Sequence, residues 1–157
     1  MTLYDVFDWL EQTPIGEAIR GSSWLFPVVE AAHLVGLALL GGTLLLLNLR
    51  LLGFGLRERS PAYLVDQLRP WLLGALGLMF ATGIPLFLSE AIKCQASTAF
   101  RVKMCALALG LLYTFCVRNR LAGKLPESQV WRARALGAIS ITLWFTVAAA
   151  GRWIGFS

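Results

Sequence analysis

The sequence predicts an all-α integral membrane protein: a four-helix bundle with an N-terminal amphipathic interfacial helix. Three observations carry that reading. The 157 residues are 57% hydrophobic and 15% charged, with a mean hydropathy of +0.67, where an ordinary soluble domain carries about 25% charge. Four stretches, at about residues 24–47, 71–88, 99–117 and 136–153, approach or reach the ~20 apolar residues a spanning helix needs. These stretches are apolar nearly all round and lack the two-residue alternation of barrel strands. The wealth of Leu, Phe and Trp excludes disorder. The glycines have no three-residue period, and three cysteines are too few for a disulfide scaffold. A single membrane domain over 1–157 is expected, with short connections that make neighbouring spans antiparallel.

Residues 1–23 precede the first span. Asp5, Asp8, Glu11 and Glu17 interrupt them, so they lack the continuous apolar core of a signal peptide. Leu3, Val6, Phe7 and Leu10 fall on one helical face. Thr2 and Asp5 have capping-box spacing, and Thr13-Pro14 stops this helix and starts another short one. The helix either lies in the membrane interface or packs on the end of the bundle. Ser22 or Ser23 is positioned to cap the first span.

The second span contains Thr82-Gly83-Ile84-Pro85, where Pro85 removes a backbone hydrogen bond and marks a kink. The third opens with Phe100-Arg101-Val-Lys103. In the first, second and fourth spans, Gly36, Gly41, Gly42, Gly74, Gly77 and Gly137 are read as points of close helix approach.

Basic residues set the orientation. Arg50, Arg57, Arg59 and Arg69 follow the first span, and Arg118, Arg120, Lys124, Arg132 and Arg134 precede the fourth. Only Arg20, Lys93, Arg101, Lys103 and Arg152 lie at the other end. The positive-inside rule then places both termini outside, with Trp24 and Trp153 at the outer interface and Trp71 and Trp131 at the inner one. The net charge of +5 is accounted for by anionic lipid at the inner surface rather than nucleic acid.

Ionisable groups inside a span are costly and read as functional. Glu30 and His33, the only histidine, lie three residues apart in the first span and project from one side. At about 1.5 Å per residue, His33 sits ~13 Å below Trp24. Three chemistries suit the pair. The first is axial ligation of haem b, with Gly36 leaving room for a macrocycle and Glu30 supporting the imidazole. The second is a carboxylate metal site, which needs more Glu-x-x-His than this one. The third is a proton relay. The structural alternative is a histidine hydrogen-bonded across the bundle and a glutamate that snorkels. A single histidine leaves the sixth haem position to a second chain, to Met79 or to Met104, the last closer in depth to His33. Arg101 and Lys103 are read as partners of Glu30 or Glu90, or of a haem propionate or other anion. Cys94 is expected in an outer loop, free or paired with another chain, and Cys105 and Cys116 are too far apart to bridge.

The run from Trp24 through Pro27, Glu30, His33 and Gly36, then Asn48-Leu-Arg50-Leu-Leu-Gly53, Thr82-Gly83 and Phe100-Arg-Val-Lys103, resembles a family of small, largely uncharacterised bacterial inner-membrane proteins with four spans. That resemblance implies a multi-pass protein of the bacterial inner membrane. The Glu-x-x-His segment alone resembles the outer-side motif of haem A synthases. It implies a haem-ligating role for His33 and an essential one for Glu30. The arginine that follows the histidine in those enzymes is absent here, as are their further histidines. The functional expectation is a haem-b-binding electron-transfer module with His33 as axial ligand, acting as a homo-oligomer or as a subunit of a membrane complex. The alternative is a non-enzymatic, channel-like oligomer in which Glu30 and His33 line an interface or pore. No catalytic residue is assigned.

Overall fold

The computed structural model describes residues 2–56, 58–126 and 128–155, so Arg57 of the basic clusters lies outside the described residues. Every element among them is helical. Two short helices, α1 (Leu3–Glu11) and α2 (Pro14–Gly21), precede the first span α3 (Leu25–Leu52). The second span is α4 (Pro61–Ser89), followed by the short α5 (Ala91–Ala96). The third is one continuous helix, α6 (Thr98–Leu112), a π-helical turn (Tyr113–Arg118) and α7 (Asn119–Ala122). The last span is α8 (Val130–Ile154). All four are long and apolar enough to cross a membrane.

Local chemistry sets the starts and stops. Thr2 N–H donates to Asp5 Oδ2 at 2.6 Å and Asp5 N–H to Thr2 Oγ1 at 3.3 Å, the reciprocal pair of a capping box. Thr13 caps α2 through Gly16 N–H, with Pro14 in the first turn. The Ser22 hydroxyl accepts from Trp24 and Leu25 N–H at the start of α3. Gly53 closes α3 at φ 88°, and Phe54 N–H reaches back to Leu49 O at 2.8 Å, a Schellman arrangement.

The spans outrun their apolar stretches. Ser60 and Pro61 start α4 ten residues before Trp71, because a cap and a first-turn proline start a helix whatever the polarity of the turns that follow. Pro70 and Pro85 both lie within α4 without ending it.

The bundle packs α4 on α3, α3 on α8 and α8 on α6, while α4 and α6 touch little. One core cluster joins Leu40 and Leu44 of α3, Leu72 and Leu76 of α4, Ala106 of α6 and Trp144 of α8. A second joins Leu47, Leu51, Leu64, Ala122 and Leu136 toward the end opposite the termini. A third or less of each span's most apolar window is buried. Leu34, Val35, Leu45, Leu46, Leu109, Ile139 and Phe145 are exposed, an apolar surface too extensive for water and suited to lipid.

Close approach occurs at some of the expected glycines only. A Cβ on Gly137 would stand 3.1 Å from Asn48 O and 3.2 Å from Leu51 Cβ, so α3 and α8 meet there. Gly41, Gly42, Gly74 and Gly77 have nothing within 4 Å of that position. They lie on outward faces and do not seat a helix of this chain.

The helix α1 packs on the end of the bundle that carries both termini. Phe7 meets Phe87 edge-on at 6.0 Å, and Phe87 stacks on Phe100 at 5.4 Å. Glu11 bonds Arg20 Nη1 at 2.7 Å through Oε1 and accepts Ile92 N–H at 2.8 Å through Oε2, so it ties α1 to α2 and α5.

Candidate functional site

Within α3, Glu30 and His33 part company. Glu30 is exposed and makes no hydrogen bond to His33, whereas His33 is half-buried against α4. Its Nδ1 lies 2.8 Å from Thr82 Oγ1. Thr82 Oγ1 in turn donates to Leu78 O at 2.6 Å. A hydroxyl has one proton, so with that proton on Leu78 O it accepts from His33 Nδ1–H. Nε2 then carries the ring's lone pair. It has no hydrogen-bond partner among the described residues and is not sealed by them. Thr82, rather than Glu30, therefore holds the imidazole.

Two glycines shape the surroundings. A Cβ on Gly83 would lie 3.1 Å from His33 Cε1, so only glycine lets the ring lie on α4 undisturbed. A Cβ on Gly36 would meet Leu78 Cγ and Met79 Sδ at 3.2 Å. The space expected beside Gly36 for a macrocycle is thus filled by α4 side chains. Met79 faces this interior, while Met104, the methionine expected nearer in depth, is exposed.

Arg101 and Lys103 diverge as well. Arg101 is exposed at the head of an outward apolar groove between α6 and α8. Lys103 turns inward over Gly151, with Nζ 3.6 Å from where a Cβ would be. Neither base forms an ion pair with Glu30 or Glu90 among the described residues. His33 and Thr82 join α3 to α4, and the Phe87–Phe100 stack joins α4 to α6 nearer the termini, five residues beyond Thr82 and three before Lys103.

A second polar layer lies toward the other end. Arg118, expected in a loop, is 2% exposed inside the bundle. Its Nη1 donates to Asn48 Oδ1 at 3.2 Å and Ser140 Oγ at 3.0 Å, and its Nε and Nη2 to Asn119 Oδ1. The π-helical turn that ends at Arg118 adds a residue to the helical repeat, a distortion common at functional positions. Between the layers, Trp144 Nε1 donates to Thr114 Oγ1 at 3.0 Å. Sequence reading missed Arg118, Asn48, Ser140 and Thr114. The available signal was Asn48 at the end of an apolar run and Arg118 four residues after Thr114, in helical register with it.

Cys94 is buried at 7% exposure, which corrects the expectation of an outer-loop thiol open to another chain. Cys105 and Cys116 are the exposed ones. Burial, reinforced by Glu90, pushes the Cys94 thiol up from 9.0 to about 11. Among the described residues no three His, Cys, Asp or Glu side chains gather to hold a metal ion on their own.

Residues 6–157 match the model of DUF6644, a family of unknown function, and the chain belongs to that family. No curated protein matches the chain, and no solved structure does.

Proposed function

Within this family, we propose that the chain is a haem-b-binding electron-transfer module of the bacterial inner membrane, with His33 as an axial ligand near the outer side. The observation that carries the reading is the His33–Thr82–Leu78 relay. Metal-ligating histidines donate their second N–H to a fixed acceptor, which sets the tautomer and aims the other nitrogen. Here Nδ1–H is held and Nε2 is left open. Lys103, turned inward over Gly151 in the same half of the bundle, suits a propionate carboxylate. His33 faces α4 rather than the outward surface, which favours a sixth ligand from within the chain, and Met79 is the thioether that faces the same interior. The sparsely packed seam between α4 and α6 is where the bundle has least to lose on admitting a flat ring. The visible spectrum of the protein, purified after haem-replete expression, tests this reading against His33→Ala.

One observation favours a second reading, a non-enzymatic homo-oligomer. Gly41, Gly42, Gly74 and Gly77 present small-residue surface that no helix among the described residues uses, and Glu30 is exposed on the same apolar span as Gly41, about three turns from it. That reading predicts that Gly42→Leu changes the oligomeric state in detergent. A monomer for both forms contradicts it.

A further inference from the structure

A pocket of about 600 Å³ opens at the end of the bundle that carries both termini, between α2, the start of α3, the end of α4 and α5. That volume falls within the range of small-molecule sites. Its walls carry two acids and two bases. Glu11 and Arg20 are spent on each other at 2.7 Å. Glu90 and Lys93, one turn apart, have no ion partner among the described residues. Ile19 and Phe26 supply an apolar wall. Among the described residues, the pocket thus offers one free carboxylate, one free ammonium and an apolar side, at the level where the spans meet the polar end of the bundle. A guest that matches it carries both signs of charge and an alkyl part. The Glu90 carboxylate accepts from a primary ammonium, which a quaternary ammonium cannot satisfy, and the Lys93 ammonium pairs with an anionic group.

We propose that this pocket binds a zwitterion bearing a primary ammonium and a phosphate, the chemistry of a phosphatidylethanolamine headgroup or of free phosphoethanolamine. The proposal is independent of haem binding. The test is titration of the full-length, detergent-solubilised protein with dihexanoyl lipids carrying ethanolamine, choline or glycerol headgroups, and with phosphoethanolamine. Charge-assisted hydrogen bonds of 1.5–3 kcal/mol predict at least a roughly tenfold preference for the ethanolamine lipid over the other two. Glu90→Gln removes that preference, Lys93→Gln weakens binding of all three lipids alike by losing the phosphate partner, and Glu17→Gln, outside the pocket, changes neither. Circular dichroism checks that each variant is folded. Phosphoethanolamine binding as tightly as the lipid assigns the site to the free compound, and much weaker binding assigns it to the lipid. Equal affinity for the three headgroups, a preference that survives Glu90→Gln in folded protein, or an affinity for all three that Lys93→Gln leaves unchanged overturns the proposal.

Discussion

Arg118 of the third span donates to Asn48 Oδ1 of the first at 3.2 Å, and among the described residues no carboxylate is within ion-pair reach of its guanidinium. The cation is satisfied by amides and a hydroxyl alone, with Ser140 and Asn119 as its other acceptors. Removing one acceptor from a buried charge costs more than removing the charge together with its acceptor.

Asn48→Leu is therefore expected to destabilise the bundle by about 3 kcal/mol. Arg118→Met with Asn48→Leu is expected to cost less than Asn48→Leu alone. Interhelical hydrogen bonds in membranes average only about 0.6 kcal/mol each, so losing both partners is mild. Unfolding in mixed micelles measures both. A double variant less stable than the single one contradicts the view that the guanidinium is the costly group.

Gly16 is predicted to be intolerant. A Cβ there would stand 2.6 Å from Leu88 O and 2.7 Å from Glu11 O, and both are backbone atoms that cannot swing away. Gly16→Ala should cost about 2 kcal/mol through overpacking and loosen α2 from α4. Gly41→Ala, with open space around it, should be neutral or slightly stabilising through helix propensity. Thermal melts of the two variants side by side check the contrast.

Cys94 supplies a pH dependence with a definite sign. Its folded thiol titrates at about 11 against an ordinary 9.0, so the folded state favours the neutral form. The stability this contributes is fully present below pH 9 and is lost as pH rises through 11. Cys94→Ala should flatten the alkaline limb of the stability profile. Maleimide at pH 8 should spare Cys94 in the folded, detergent-solubilised protein and label it once the protein is denatured.

Much of the architecture was legible in the sequence because its signals are local. The Thr2–Asp5 box and Thr13-Pro14 depend on neighbours within one turn and formed as read, and a helix long and apolar enough to cross a membrane formed over each of the four apolar runs. Ser22 reaches the start of α3, although Trp24 occupies its N-cap position. The site was less legible because a helical register says which residues share a face, not which neighbouring helix they meet. Glu30 and His33 share a side of α3, yet Thr82 on another span decides how the ring is held. Arg118 was misplaced for a related reason. Charge counting assigns an arginine after an apolar run to a loop, whereas the π-helical turn keeps it helical and its hydrogen bonds draw it inside.

On the haem reading, Thr82 should tune the proposed site without being a ligand. Thr82→Val keeps the shape and removes the acceptor of His33 Nδ1–H. By analogy with other metal sites, haem affinity should fall by about 10- to 100-fold with the fold retained. Thr82→Ser, which keeps the hydroxyl, should restore most of it. Haem titration of the apoprotein measures the series, and equal affinity for Thr82→Val and the unaltered protein contradicts a supporting role.

The most direct measurement is a reduced-minus-oxidised visible spectrum of the purified protein and of His33→Ala, both expressed with excess haem and checked for fold by circular dichroism. The account predicts a Soret band and a redox-dependent difference spectrum in the unaltered protein, both lost in His33→Ala. No Soret band in the unaltered protein, or an unchanged one in His33→Ala, contradicts it.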